Sequence, residues 1–227
     1  GCGALGAAHE PGADFLTVED AGENVFLPAV DQNSMKAAPG ADDRSLELGG
    51  HSAGALGAFH AFHALQAGLK VALIEKDLRP NGATVRNFGQ VVPSGMDRKW
   101  QAIGRRSLEI YKELQSQTDL TIRENGSVYL ASDEEELQLI EEYGAICEAE
   151  SYPFQILDAD DCLKRWPGLR SDYVKAGMFF PGELTVEARE MIHRLIDFMV
   201  ERFGLQYIPS TLIREIEEPG DYCKLVS

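Results

Sequence analysis

A glycine-rich helix start, followed at a set distance by an acidic residue, constrains the fold of this chain more than any other feature. The predicted helix over 53–67 opens with Ser52-Ala53-Gly54-Ala55-Leu56-Gly57, and the apolar run over 69–74 ends at Glu75. The N-terminus of such a helix offers backbone N–H groups and a positive dipole end to a phosphate. The pattern is therefore typical of a βαβ unit that binds a dinucleotide.

The individual positions of this motif predict separate roles. Gly54 and Gly57 match the second and third glycines of the motif, which allow close approach of a pyrophosphate and close packing of helix on sheet. Ser52 stands at the first, turn-forming glycine, where serine has a steric cost that glycine avoids. Glu75 is placed to accept both hydroxyls of an adenosine ribose. The alternative is a packed helix rich in glycine and alanine, followed by an acid at that distance by chance.

The order of the predicted elements indicates an α/β protein. The strand over 46–48 is weak, because Glu47 and the glycines after it disfavour a buried parallel strand. We predict a Rossmann-like domain formed by 46–96 and 187–227, interrupted by an α+β substrate domain over 97–186. The other predicted elements are helices over 97–117, 132–149 and 158–166, a long helix capped by Thr185 that ends at Phe203, and strands over 127–131, 154–157, 174–180, 205–208, 211–216 and 222–226.

The first 45 residues differ from the rest of the chain. They show no sustained helical or strand period, and residues 1–50 carry seven of the sixteen net negative charges. Gly3–His9 repeats most of Gly54–His60, but no strand precedes the first copy, so it cannot form a dinucleotide site. We predict that residues 1–45 form an acidic, disordered extension that binds nothing. The alternative is that Asn24–Val30 adds a strand to the sheet edge or replaces the weak first strand.

Composition argues against several classes of partner and location. The net charge of −16 disfavours binding to a nucleic acid or to an anionic membrane surface. The uncharged stretch over 48–69 contains histidines and five glycines, so we do not expect it to span a membrane. No base precedes Lys36, which argues against a signal peptide. We expect reduced thiols, no metal site and a cytoplasmic location, because no CxxC pair or zinc-like spacing occurs among Cys2, Cys147, Cys162 and Cys223.

Three segments of the sequence form a recognisable set: Gly54–Gly57, Val71–Asp77 and the loop Gly82–Gln90. Together they resemble the FAD-dependent D-amino-acid oxidase superfamily, to which glycine and sarcosine oxidases belong. Pro181-Gly182-Glu183 adds to the likeness, which extends from about residue 50 to the end of the chain. The Arg-Asn-Phe-Gly-Gln form of the loop is similar to a branch often linked with aminophosphonate breakdown.

The resemblance implies that FAD binds in an extended pose across the sheet. The loop Gly82–Gln90 would pass beside the pyrophosphate and the isoalloxazine, with Arg86 and Gln90 near the flavin ring. Ile213 would meet the adenine through its backbone, and the insertion over 97–183 would provide the substrate-domain sheet. No catalytic residue is assigned. The predicted FAD-binding residues are Ser52, Gly54, Ala55, Leu56, Gly57, Glu75, Lys76, Ala83, Thr84, Arg86, Asn87, Gln90 and Ile213.

The resemblance also implies a reaction. A hydride would pass to FAD from the carbon that bears the amine of a small amine or amino-acid substrate, and the resulting imine would hydrolyse in water. Members of the superfamily continue well past the last predicted strand, so the fold is expected to be truncated at its C-terminus. Two alternatives stay open. One is a truncated fragment without catalytic activity, and the other is an NAD-binding Rossmann enzyme, against which the long loop argues.

Overall fold

The computed structural model describes residues 45–48, 53–217 and 224–227. Contacts between residues divide the chain into two compact units. Unit 1 contains the described residues up to Arg86 together with those from Ile192 onward, and unit 2 extends from Asn87 to Met191. The predictions for the N-terminal extension, including the strand at Asn24–Val30, and the prediction for Ser52 lie outside the described residues.

Unit 1 is built on a parallel sheet of three strands. Strand β2 (Lys70–Ile74) lies between β1 (Ser45–Leu48) and β8 (Gln206–Ile208), and both pair with it in parallel. Helix α1 (Ala55–Gln66) makes the crossover from β1 to β2 that parallel pairing requires. This βαβ order confirms the predicted Rossmann-like fold class.

Helix α1 is buried on most of its circumference. The spacing of α1 predicts that Leu56, Phe59, His60, His63 and Ala67 form its inner stripe. This prediction is confirmed at Phe59 and wrong elsewhere, since Leu56, His60 and His63 are only half-buried and Ala67 is exposed. Small alanine side chains instead let the helix pack closely on its neighbours. Neither α1 nor any other helix in the described part of the chain is both long and apolar enough to cross a bilayer. The buried residues of α1 are Ala58, Phe59, Ala61, Phe62, Ala64 and Leu65.

Helix α5 (Ala188–Phe203) carries the chain from unit 2 back into unit 1. Its spacing predicts five inward residues, of which Phe203 is only half-buried and the other four are confirmed as buried: Ile192, Leu195, Ile196 and Met199. The predicted strand over 211–216 is wrong in most of its length, because only β9 (Glu215–Glu217) finds a ladder partner, in β10 (Lys224–Val226). Residues 211–214 are irregular, and the Thr211 N–H instead donates to the carbonyl of Glu75 at 2.9 Å.

Unit 2 combines an antiparallel sheet with three helices. The fully buried strand β6 (Ala176–Phe180) pairs on one edge with β4 (Ser127–Ala131) and on the other with β5 (Gln155–Asp158). A separate two-stranded ladder joins β3 (Gln90–Val91) to β7 (Leu184–Thr185). The helices are α2 (Arg98–Gln117), α3 (Glu134–Ala149) and α4 (Ala159–Arg165).

An aspartate caps each of these three helices. The side chains of Asp97, Asp133 and Asp158 accept hydrogen bonds from backbone N–H groups in the first turns of α2, α3 and α4. The predicted cap of α5 is wrong. Thr185 lies in β7 opposite Gln90, so its backbone is committed to a strand and the helix begins only at Ala188.

The core of unit 2 is centred on Phe180. Its side chain is fully buried, and four aromatic rings surround it with centroids between 5.4 and 6.4 Å away. Burying one such ring contributes roughly 1.5–3 kcal/mol, and aromatic contacts add to that value. The surrounding rings belong to Tyr129, Tyr143, Tyr152 and Phe154.

Candidate cofactor-binding site

The N-terminus of α1 is suited to an anion. Gly54 is the N-cap, with an extended backbone (φ −67°, ψ −175°) and no side-chain cap hydrogen bond. The first turn contains no acidic residue. Helix geometry leaves the N–H groups of Leu56 and Gly57 without an intrahelical acceptor, and the positive end of the helix dipole lies there. These groups therefore suit a diphosphate.

Glu75 is buried where β2 ends, with only 2% of its surface exposed. One carboxylate oxygen accepts a hydrogen bond from the Ala53 N–H at 2.6 Å, and the other accepts one from the Asp77 N–H at 3.0 Å. Burial, and then the charge of this carboxylate, raise the pKa of the Tyr207 hydroxyl on β8. Each carboxylate oxygen has two lone pairs, so Glu75 keeps acceptor capacity for a ribose hydroxyl. Its role toward the ribose stays a prediction.

The first part of the loop Gly82–Gln90 is bonded directly to the helix start. Residues Ala83–Arg86 form one turn of 3-10 helix. Within it, the half-buried Thr84 hydroxyl oxygen accepts a hydrogen bond from the Ala55 N–H at 2.9 Å. Arg86 ends the turn with an exposed side chain. Thr84 thus fixes the loop beside the glycine motif, as a cofactor-binding loop requires.

The second part of the loop belongs to unit 2 and has a constrained backbone. The Asn87 side-chain oxygen accepts a hydrogen bond from the Gly89 N–H at 2.7 Å. Gly89 has φ +68°, and its carbonyl accepts a hydrogen bond from the Val186 N–H at 2.7 Å. The backbone is therefore held in place while the side chains of Asn87, Phe88 and Gln90 are exposed, Phe88 to 95%.

For the remaining predicted residues, we identify no hydrogen bond to the start of α1 among the residues that the structure describes. Lys76 and Ala83 have exposed side chains, and Ile213 is buried in the irregular segment before β9. In unit 1 the structure brings together the start of α1, Glu75 and Thr84. Sequence reasoning missed Ala53, whose N–H binds Glu75. The available signal was its position directly before Gly54, where the chain passes the end of β2.

Replacing Thr84 with valine should weaken FAD retention while leaving the fold intact. Valine keeps the shape of threonine but cannot accept the hydrogen bond from Ala55, so the loop loses its tether to the helix start. We expect FAD to dissociate about fivefold to tenfold faster from Thr84→Val than from the unchanged chain. Thr84→Ser, which keeps the hydroxyl, is the matched control. Equal dissociation rates for the valine and serine variants would contradict the tethering role.

The chain matches a known family over most of its length. The family described as DAO, FAD dependent oxidoreductase, matches residues 53–226. A search of curated proteins finds no match. Many solved structures share the fold.

Three of these structures illustrate how similar they are to this chain in fold and in sequence. Glycine oxidase from Geobacillus kaustophilus has a TM-score of 0.68 and 21% identity, over 77% of this chain and 49% of its own. Iminodiacetate oxidase from Chelativorans sp. BNC1 has a TM-score of 0.63 and 22% identity, over 81% and 50%. Reduced L-α-glycerophosphate oxidase from Mycoplasma pneumoniae, with FAD bound, has a TM-score of 0.64 and 17% identity, over 73% and 44%. The chain thus spans about half the length of the structures it resembles.

The family match confirms the resemblance inferred from the glycine motif and the loop Gly82–Gln90, and FAD is the cofactor that it assigns. The solved structures agree with it in fold. Because the matched region covers most of the sequence, the chain belongs to the DAO family of FAD-dependent oxidoreductases.

Proposed function

We propose that the protein oxidises a small amine or amino acid to an imine, with FAD as the hydride acceptor. Family membership supports the redox chemistry and the cofactor. Two of the structurally similar proteins are named as oxidases of glycine and of iminodiacetate, and both of those compounds carry an amine next to a carboxylate-bearing carbon. These names support an amine as the substrate class.

The hydrogen bonds around the start of α1 are the observation that carries the cofactor-binding part of this proposal. Ala53 binds the carboxylate at the end of β2, and Ala55 binds the hydroxyl of the loop, so three segments meet at one helix N-terminus. The N–H groups of Leu56 and Gly57 would hold the FAD pyrophosphate, and Glu75 would hold the adenosine ribose. The other proposed contacts come from Ser52, Gly54, Lys76, Ala83, Arg86, Asn87, Gln90 and the backbone of Ile213.

Bound FAD supplies the hydride acceptor, whereas the residues of this chain bind and orient the cofactor. The chain carries a net charge of −16, yet the first turn of α1 contains no acid, so no carboxylate of that turn would repel the pyrophosphate. The side chains of Arg86 and Lys76 are exposed, and the positive charge of each would offset part of the repulsion between the acidic chain and an anionic cofactor.

The experiment that tests this proposal uses the purified 227-residue chain. The protein is mixed with FAD, desalted, and scanned for flavin absorbance, with NAD as a parallel ligand. We expect FAD and not NAD to be retained. Glycine, sarcosine, iminodiacetate and aminophosphonates are then added without oxygen, and at least one should bleach the flavin band. Loss of all FAD on desalting contradicts the proposal, and retained flavin that no amine bleaches contradicts its substrate class.

A further inference from the structure

We propose that Glu183 is a positioning residue for the cofactor. Its buried carboxylate fixes the segment that directly follows Gln90, and so sets the backbone from which Asn87, Phe88 and Gln90 face FAD. This inference rests on the proposed function, because it takes the loop Gly82–Gln90 to be the cofactor-binding loop. Glu183 itself does not touch the reacting atoms in this proposal.

The carboxylate of Glu183 is fully buried and saturated with donors. One oxygen accepts hydrogen bonds from the Ser94 N–H and from the Tyr152 hydroxyl, both at 2.7 Å. The other accepts one from the Ser94 hydroxyl at 3.0 Å and one from the Ser127 hydroxyl. These donors are all uncharged, so neutral hydrogen bonds replace the water that this carboxylate loses on burial.

Ser94 binds both carboxylate oxygens, and it lies four residues after Gln90. Since its hydroxyl proton goes to Glu183, the Tyr129 hydroxyl at 3.0 Å must donate to it. The Tyr143 hydroxyl donates to the Ser94 carbonyl. All three polar groups of Ser94 are therefore bonded, and the turn Pro93–Gly95 is held rigidly.

Strand β7, which follows Glu183, is hydrogen-bonded to the end of the loop Gly82–Gln90. Leu184 and Thr185 pair with Val91 and Gln90, and the Val186 N–H binds the carbonyl of Gly89. Consecutive residues from Glu183 to Val186 thus hold the chain from Ser94 back to Gly89. The opposite edge of this strand is also bonded. The Gly126 N–H donates to the Glu183 carbonyl at 3.0 Å, and Thr185 exchanges two hydrogen bonds with Arg123.

The donors of this network keep their protons. Burial, and then the charge of Glu183, raise the pKa of the Tyr152 hydroxyl. Burial likewise raises the pKa of Tyr129, and the Ser94 hydrogen bond opposes that rise. Both hydroxyls therefore keep their protons at neutral pH, and both tyrosines remain hydrogen-bond donors. Burying a carboxylate has a large desolvation cost, which an ordinary turn does not require. It is useful where a backbone must stay fixed while its side chains remain exposed to a ligand.

The test compares Glu183→Gln with Tyr152→Phe in the full chain. Glutamine keeps the volume but replaces one acceptor oxygen with an NH2 donor, which faces either the N–H or the hydroxyl of Ser94. Phenylalanine removes one hydrogen bond to Glu183 without touching Ser94. We expect amide hydrogen exchange at Ser94 and Gly89–Val91, measured without FAD, to accelerate about tenfold to a hundredfold in Glu183→Gln and to change little in Tyr152→Phe.

The second readout is the flavin itself. FAD should dissociate at least tenfold faster from Glu183→Gln than from Tyr152→Phe, even if the two variants lose similar thermal stability. The visible circular dichroism of the bound flavin should also change in Glu183→Gln. Tyr152→Phe should resemble the unchanged chain in both properties. Equal behaviour of the two variants would show a merely structural role and overturn the proposal.

If Glu183→Gln does not fold, Ser94→Ala carries the test. It keeps the N–H bond to Glu183 and loses the hydroxyl bond, so faster exchange at Gly89–Val91 and faster FAD loss are expected. Unchanged values in Ser94→Ala overturn the proposal. An unchanged chain that retains no FAD contradicts the proposed function. Retention of FAD equally by the unchanged chain and by the Glu183 and Ser94 variants contradicts the role of Glu183 alone.

Discussion

Gly89→Ala should destabilise unit 2 and remove most of the bound FAD. A β-carbon on Gly89 would lie 2.0 Å from the Val186 carbonyl oxygen, which is far inside contact distance. Relief of that clash requires the β3–β7 ladder to separate, because the same two residues share a backbone hydrogen bond. The positive φ of Gly89 adds about 1–2 kcal/mol of backbone strain. Together we expect a loss of about 3–5 kcal/mol in the free energy of unfolding.

Gly204→Ala is the matched control for this prediction. Gly204 has nearly the same backbone angle, φ +72°, but a β-carbon added there would have no neighbouring atom within 4 Å. It should therefore lose only the strain contribution of about 1–2 kcal/mol and keep its FAD. Urea unfolding gives the stability of both variants, and flavin absorbance after desalting gives their cofactor content. Equal losses of stability and of FAD in the two variants would mean that the β3–β7 ladder accommodates the added β-carbon at little cost in free energy.

Glu75→Ala should have the second large effect. It leaves the buried N–H group of Ala53 without an acceptor, at about 1–3 kcal/mol, whereas water can replace the carboxylate at the N–H group of the exposed Asp77. It also removes the proposed acceptor for the ribose hydroxyls. We expect the free energy of unfolding to fall by about 1–3 kcal/mol and FAD affinity to fall at least tenfold, as measured by urea titration and by quenching of flavin fluorescence.

Two further variants separate the possible causes of that loss. Asp77→Ala removes an exposed carboxylate two residues away and should leave both measurements nearly unchanged. Glu75→Gln keeps the side-chain volume and one acceptor oxygen, so its effects should fall between those of the other two. An Asp77→Ala variant as weak in FAD binding as Glu75→Ala would instead indicate a long-range effect of charge.

The features that could be predicted from sequence have local causes. Asp97 caps α2 because its side chain reaches N–H groups two and three residues ahead, and Gly68 ends α1 through its own backbone angle. Glu75 follows a buried strand at a spacing that the βαβ geometry fixes. Short-range patterns record such constraints directly.

The features that were missed depend on residues far apart in the chain. Thr185 has a side chain suited to a cap, but pairing with Gln90 overrides that preference. Nothing around Glu183 in the sequence indicates burial, because its donors come from Ser94, Ser127 and Tyr152. The strand β1 forms despite Glu47 because β2 offers it a complete parallel ladder.

The ladder between β3 and β7 also has a consequence for folding, because it joins the two ends of the inserted unit. In unit 1, β2 and β8 pair although all of unit 2 lies between them in the sequence. Closing a loop costs entropy that grows by about 0.6 kcal/mol with each doubling of its length, and such distant pairing slows folding. Once unit 2 is compact, the bond between Gly89 and Val186 holds its entry and exit together, so only short flanking segments remain to be closed. We therefore expect early folding of the inserted unit to accelerate the pairing of β2 with β8.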